Sequence, residues 1–279
     1  MGTQSQNFQH NPYIWDARGM SVPPGTQTLA RGLAVIRAVA DGARDLRGLV
    51  EHTGLGRSTT HRLVQLLVHE EFLRHVDGGY TLGPALIELG FKALHGNPLP
   101  VVARPFLEEL SEQVHDTVHL GVVDGDSVLY LEKLPGTRGA EMRSRVGHRM
   151  PLTRTGVGMA LLLDSPERWE ELYIADEDRV TVPTVVRRGE LAERCAEFCT
   201  RMQTYAKSGS AMDLEDNEPG IRCVAAPVRD ASKAIVGAIS VSATRPYMPA
   251  ARMRGLVPVV RRSAARISSA MGYREAQAQ

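Results

Sequence analysis

Ser58, His61, Arg62, Gln65 and His69 recur at the three- and four-residue spacing of one helix face, while Leu63, Leu66, Leu67 and Glu70 fall largely on another. Donor-bearing side chains on such a face can read base edges in the major groove of a duplex. The hydroxyls of Ser58 and Thr59, at the partly positive start of the helix, suit phosphate oxygens. Residues 56 to 68 carry Arg57 and Arg62 and no acidic residue, a local excess that the formal charge of +1 for the whole chain conceals. The candidate DNA contacts are therefore Arg57, Ser58, Thr59, Thr60, His61, Arg62 and Gln65, with Arg74 and His75 adding phosphate or minor-groove contacts from the segment that follows. A solvated polar helix face would show the same stripe; the order of the surrounding elements favours DNA.

A second group of residues lies far along the chain. In the apolar run 235–243, Ser240 and Ser242 share one face of a strand and Ile239 and Val241 the other. Cys223, Ala225 and Pro227 alternate in the same way with Val224, Ala226 and Val228, so one face carries small groups that leave room for a ligand. Gly156-Val157-Gly158 opens a helix whose N–H groups could meet a carboxylate, and Asp213 could accept hydrogen bonds from a ligand hydroxyl. A hydroxylated carboxylate would use both. The competing reading makes Ser240 and Ser242 solvent-facing and Cys223 a small core residue.

These residues need elements to position them. Leu29, Leu33, Ile36, Val39 and Ala40 mark a first helix that stops at Asp41-Gly42, Leu46, Leu49 and Val50 a second that ends at Gly54, and a third runs from about residue 56 to 70. Residues 72–82 alternate around Asp77-Gly78-Gly79, which predicts a tight hairpin. Helix, helix, turn, helix and hairpin form a winged helix-turn-helix pattern. The expected divisions are an N-terminal arm at 1–25, in which Tyr13 and Trp15 stand isolated, the winged domain at 26–82, a linker helix at 83–97 and a larger domain at 98–279. In that domain, helices are expected over about 99–114, 156–163, 166–175, 188–202 and 250–271. Strands are expected over 118–123, 127–133, 204–210, 222–229 and 235–243. Strands that neighbour one another favour an α+β fold with an antiparallel sheet over a Rossmann fold.

Composition bounds the rest. The 279 residues, 33 Lys plus Arg against 32 Asp plus Glu, describe about two globular domains, with no apolar run long enough to span a membrane and no signal-like start, so a cytoplasmic location is expected. Cys195, Cys199 and Cys223 are expected to be reduced thiols. His115 and His119 have the spacing of a metal pair on a helix, but the expected helix ends between them; Cys195 and Cys199 lack a further ligand pair. No metal or cofactor is expected. No G-x-S-x-G, P-loop, HExxH or G-x-G-x-x-G occurs, and Asp213 with Cys223 lacks a histidine partner, so an enzyme is not expected.

Residues 28 to 95 resemble the DNA-binding module of the IclR family of bacterial transcriptional regulators, through Leu29-Ala30-Arg31-Gly32-Leu33, Thr53-Gly54-Leu55, Ser58-Thr59-Thr60-His61-Arg62-Leu63 and Tyr80-Thr81-Leu82-Gly83. Arg149-Met150-Pro151-Leu152, Thr155-Gly156-Val157-Gly158 and Cys223-Val224-Ala225-Ala226-Pro227-Val228-Arg229-Asp230 resemble that family's GAF/PAS-like effector domain. The resemblance implies a ligand pocket at Gly156, Val157, Asp213, Cys223, Ser240 and Ser242, with Met142 and Met150 as apolar lining. It also implies a homodimer or dimer of dimers on double-stranded operator DNA. The function it implies is a regulator of a catabolic operon, more readily a repressor. The small-molecule effector would be an organic acid, with sugar acids preferred over aromatic acids and thiol oxidation a further alternative. Two positions depart from the family pattern: Glu71 stands where glycine is common before the wing, and Met159 where lysine is common after the Thr-x-Gly turn.

Overall fold

The computed structural model describes residues 25–95, 98–139, 142–180 and 188–274, so the expected arm, with Tyr13 and Trp15, lies almost wholly outside the described residues. The described chain separates into two compact units that divide between Pro98 and Leu99.

In the first unit, α1 (Gln27–Ala40), α2 (Leu46–Thr53) and α3 (Arg57–His69) are followed by the strands β1 (Leu73–Val76) and β2 (Gly79–Leu82) and by α4 (Pro84–His95). The Asp45 carboxylate caps α2 by accepting the Gly48 N–H at 2.7 Å, and Gly54, at φ +67°, ends it in the left-handed conformation. Val35, Ala38, Leu49, Val64 and Leu73 form the small core. The apolar face of α1 is rotated from the one expected, because Leu29 and Leu33 lie exposed while Val35, Ala38 and Val39 are buried. The hairpin turns through Asp77 and Gly78, both at positive φ, the conformation its twist requires. The Tyr80 N–H then ties β2 to the Arg44 carbonyl at 2.7 Å.

The second unit runs α5 (Pro98–Val114), β3 (Thr117–Asp124), β4 (Ser127–Leu134), β5 (Arg149–Pro151), α6 (Gly156–Leu161), α7 (Trp169–Val180), α8 (Arg188–Ser208), β6 (Ala211–Leu214), β7 (Ile221–Arg229), β8 (Ile235–Thr244) and α9 (Ala250–Ala270). The sheet order is β5-β4-β3-β8-β7-β6, with every neighbouring pair antiparallel. Leu107, Leu110, Leu120, Val224, Val241 and Val260 belong to a core joining α5 and α9 to one face of the sheet. Val128, Tyr130, Val157, Trp169, Phe198 and Ala225 belong to the core on the other, beneath α6, α7 and α8.

One expected strand is absent. Residues 204–208 continue α8, because Phe198, Met202 and Tyr205 keep the helical period and are buried, and the helix ends only where Gly209 adopts φ +65°. The expected helix over 166–175 begins as a 3-10 turn at Pro166–Arg168 and continues as α7. Among the described residues no helix is long and apolar enough to cross a membrane.

Candidate functional site

The exposed face of α3 carries Arg57, Ser58, His61, Arg62, Gln65 and His69. Among the described residues neither Arg57 nor Arg62 makes an ion pair, so both guanidinium groups are open to solvent. Two expectations on this helix are corrected. Thr60 is fully buried, because it lies on the same stripe as Val64, and its hydroxyl donates back to the Gly56 carbonyl at 3.2 Å, so it cannot reach a base. Leu66 lies outside the core at 55% exposure, since the buried stripe runs through Thr60, Val64, Leu63 and Leu67. Thr59 is half-buried.

The wing places Arg74 and His75 on opposite faces of the hairpin, as successive strand residues must be. His75 packs edge-on against Tyr80 with ring centroids 5.1 Å apart, and the Arg74 Nε donates to the Thr81 hydroxyl at 3.3 Å. The two therefore cannot serve one phosphate together. Glu71 occupies φ +58°, so the position where the family pattern has glycine keeps a glycine-like backbone with an acidic side chain on it.

In the second unit, register assembles the other predicted residues on one sheet face. Thr117, Ser242, Cys223 and Asp213 stand opposite one another in turn across β3, β8, β7 and β6, and Lys133, His119, Ser240, Ala225 and Ala211 form the adjacent row from β4 to β6. Asp213, Cys223, Ser240 and Ser242 are all buried, so they are not solvent-facing strand residues. Gly156 and Val157 of α6 press on this face: a Cβ on Gly156 would stand 2.3 Å from the Cys223 Sγ. Met142 is buried beside the face, and Met150, half-buried on β5, pairs with Val128. Met159 is fully buried in the core.

The expectation that the start of α6 offers free N–H groups to a carboxylate is corrected. The helix is a single short piece whose Gly158 N–H is taken by the capping Thr155 hydroxyl at 3.1 Å, while the Gly156 N–H points to the Cys223 thiol. Burial pushes that thiol well above its ordinary range, with the neighbouring Asp213 adding to the effect. Asp213 itself is pushed up to about 7, first by burial and then by Asp216, against backbone N–H groups that favour its charge.

His119 escaped the sequence reading as a site residue. It does diverge from His115, which is exposed at the end of α5, while His119 is buried on β3. Its Nε2 lies 2.7 Å from the Ser144 hydroxyl, its Nδ1 3.5 Å from both Ser240 and Ser242, and its ring stacks on Tyr130 at 4.9 Å. Burial, assisted by the charge of Lys133, lowers its pKa to about 3 and keeps the ring neutral. The signal was available in part: Thr117, His119 and Gly121 alternate as Ser240 and Ser242 do, but only the pairing of β3 with β8 joins them.

Beyond Asp213 lies a cleft of about 460 Å³ lined by Arg154, Tyr173, Glu177, Arg194, Arg201 and Asp216, among others. Its guanidinium groups are held by its own carboxylates: Arg154 and Arg194 reach Glu177 at 3.2 and 2.8 Å, and Arg201 reaches Asp216 at 3.0 Å. Cys195 and Cys199 are free thiols on α8, and among the described residues no cluster of His, Cys, Asp or Glu is arranged to hold a metal ion.

Comparison with known proteins agrees with this architecture. Residues 28–77 match the IclR helix-turn-helix domain, and residues 91–269 match the family described as bacterial transcriptional regulator IclR C-terminal. The chain is 30% identical to the HTH-type transcriptional regulator XynR of Escherichia coli K12 over 90% of this chain and 99% of that protein. It is 29% identical to the DNA-binding transcriptional repressor YiaJ of the same organism, over 90% of each. Among solved structures, an IclR homologue from Microbacterium hydrocarbonoxydans complexed with 4-hydroxybenzoate superposes with a TM-score of 0.73 at 24% identity, covering 88% of this chain and 98% of that one. A helix-turn-helix unit followed by an α+β unit with an antiparallel sheet, matched along nearly its whole length by these regulators, makes this chain a member of the IclR family, whose proteins are DNA-binding transcriptional regulators and not enzymes.

Proposed function

We propose that this regulator represses a catabolic operon and is controlled by a small hydroxylated organic acid, a sugar acid in preference to an aromatic one. The observation that carries the effector reading is the convergence of Lys133, His119, Ser240, Ser242, Cys223 and Asp213 on one buried sheet face against the small residues of α6. Buried polar groups of both donor and acceptor type suit a ligand with several hydroxyls, and a face floored by Ala225 and Gly156 keeps space for it. An aromatic acid is the second reading, favoured by the Tyr130 ring stacked on His119 and by the 4-hydroxybenzoate complex of the Microbacterium homologue. Repression is favoured by the likeness to YiaJ.

On the DNA side, α3 is the element we assign to the major groove, with Arg57, Ser58, His61, Arg62 and Gln65 as its contacts and Arg74 of the wing on phosphate. One such helix covers too little duplex for high specificity, so a homodimer or a dimer of dimers binding paired half-sites is part of the proposal. A gel shift on promoter fragments at fixed salt tests the assignment. Arg62→Ala is expected to weaken binding by on the order of tenfold to a hundredfold, as loss of a base or phosphate contact does. Equal affinity of variant and wild type would remove α3 from the interface. Release of the fragment by an acid from the sugar-acid class, and not by aromatic acids, is the outcome expected of the effector reading.

A further inference from the structure

We infer that Lys133 and His119 form the carboxylate end of the effector site, an assignment that rests on the sensor reading above and names the group by which that site selects its ligand. The ladder sets Lys133 directly across from His119, and His119 across from Ser240. Lys133 supplies the cationic charge in these two polar rows, and the other end of the face carries Asp213, an acid that repels a carboxylate and suits a hydroxyl. The alternatives are occupied. The α6 N–H groups serve the Thr155 hydroxyl and the Cys223 thiol, and the arginines of the cleft beside Asp216 already hold Glu177 and Asp216.

The local chemistry fits an anion. The Lys133 ammonium donates to the carbonyls of Met142 at 2.6 Å and Ser144 at 2.8 Å, which seats a fixed charge beside the imidazole and holds the 142–144 segment over the strand. Attraction of an anion to that charge needs no vacant hydrogen, and a half-buried pair is screened less than an exposed one. The neutral ring carries one N–H to donate. Its contacts of 3.5 Å to Ser240 and Ser242 are at the outer limit of hydrogen bonding, so these hydroxyls can turn toward a ligand oxygen at little cost. The groups facing the ring are Tyr130 and Lys133 from β4, Ser144 from the segment before β5, and Ser240 and Ser242 from β8. None of them is an acid that would oppose a carboxylate.

Titration calorimetry on the full-length chain tests this with acids and their uncharged amides as probes: 4-hydroxybenzoate against 4-hydroxybenzamide, and D-gluconate against D-gluconamide. At least one acid is expected to bind the wild type on the order of tenfold or more tighter than its amide, the size of a charge-assisted contact. Lys133→Gln, which keeps donors for the two carbonyls but removes the charge, is expected to bring acid and amide to within about twofold, chiefly by weakening the acid. Lys133→Arg is expected to keep the preference, and a thermal melt shows that each variant is folded. Equal binding of acid and amide by the wild type overturns the assignment, as does a preference that survives in Lys133→Gln. Failure of all four probes to bind overturns the acid-sensor reading itself, and with it this assignment.

Discussion

His119 and Asp213 face the same interior from opposite edges, and their burial acts in opposite directions on stability. The Asp213 carboxyl, raised by burial from 3.8 to about 7, keeps its proton in the folded chain after the unfolded chain has lost it. Its contribution therefore makes stability fall as pH rises from about 4 to 7. The His119 imidazole, lowered by burial and Lys133 from 6.5 to about 3, is unprotonated in the folded chain where the unfolded chain binds a proton, so its contribution makes stability rise from about pH 3 to 6.5. Over the shared window the two slopes oppose each other. Thermal melts are expected to show that Asp213→Asn becomes steeply less stable toward acid, that His119→Asn becomes less stable toward neutrality, and that the wild type lies flatter than either. Parallel profiles for the two variants would show that neither group titrates as its burial implies. Sequence alone exposed half of this pair. Asp213 was legible beside the alternation of 222–229, whereas His119 needs a ladder contact to Ser240, 121 residues away, that no local pattern encodes.

The helices and the hairpin were legible because each is closed by a local signal: Gly54 behind α2, Asp45 before it, Asp77-Gly78 in the wing. Which side of a helix faces inward was less legible. Leu29, Leu33 and Leu66 are apolar yet exposed, while Thr60 is polar yet buried, because orientation follows the neighbours in space and not the residue's own hydropathy. The strand expected at 204–210 failed for a related reason, since a run containing Thr204 and Tyr205 reads as extended until Phe198 and Met202 anchor it to a helix. The junction of α3 and β1 offers a test at this scale. Glu71 holds φ +58° there, its carbonyl accepts the Ala85 N–H at 3.1 Å, and a Cβ on Gly83 would stand 2.1 Å from that carbonyl, so the turn cannot relax toward Gly83. A left-handed non-glycine residue costs about 1–2 kcal/mol, and glycine loses part of that gain to its freedom in the unfolded chain. Glu71→Gly is thus expected to stabilise the protein by about 1 kcal/mol in denaturant melts and to remove a negative charge beside the wing. An unchanged or lowered midpoint would mean that the glutamate side chain contributes more than its backbone costs.

For the whole molecule, the division of the described chain at Pro98 and Leu99 separates the groups assigned to DNA from those assigned to the effector. Any control of one by the other is a coupling between sites in different units, and such coupling is reciprocal: the factor by which an effector changes operator affinity is the factor by which operator changes effector affinity. A tightly bound effector with equal affinity for the DNA-competent and incompetent arrangements would change nothing. If the chain is a repressor released by its ligand, saturating operator duplex is expected to weaken effector binding by about 5- to 150-fold, the usual range of such coupling. Calorimetry with and without duplex reads this directly. Tighter effector binding on the operator would reverse the assignment and make the ligand a corepressor. Equal binding, found for a ligand that nevertheless displaces the duplex in gel shifts, would place that ligand's action on DNA outside the buried face of the sheet. Arg62→Ala carries the argument back to the first unit, because it is expected to weaken the duplex while leaving effector affinity in the absence of DNA unchanged.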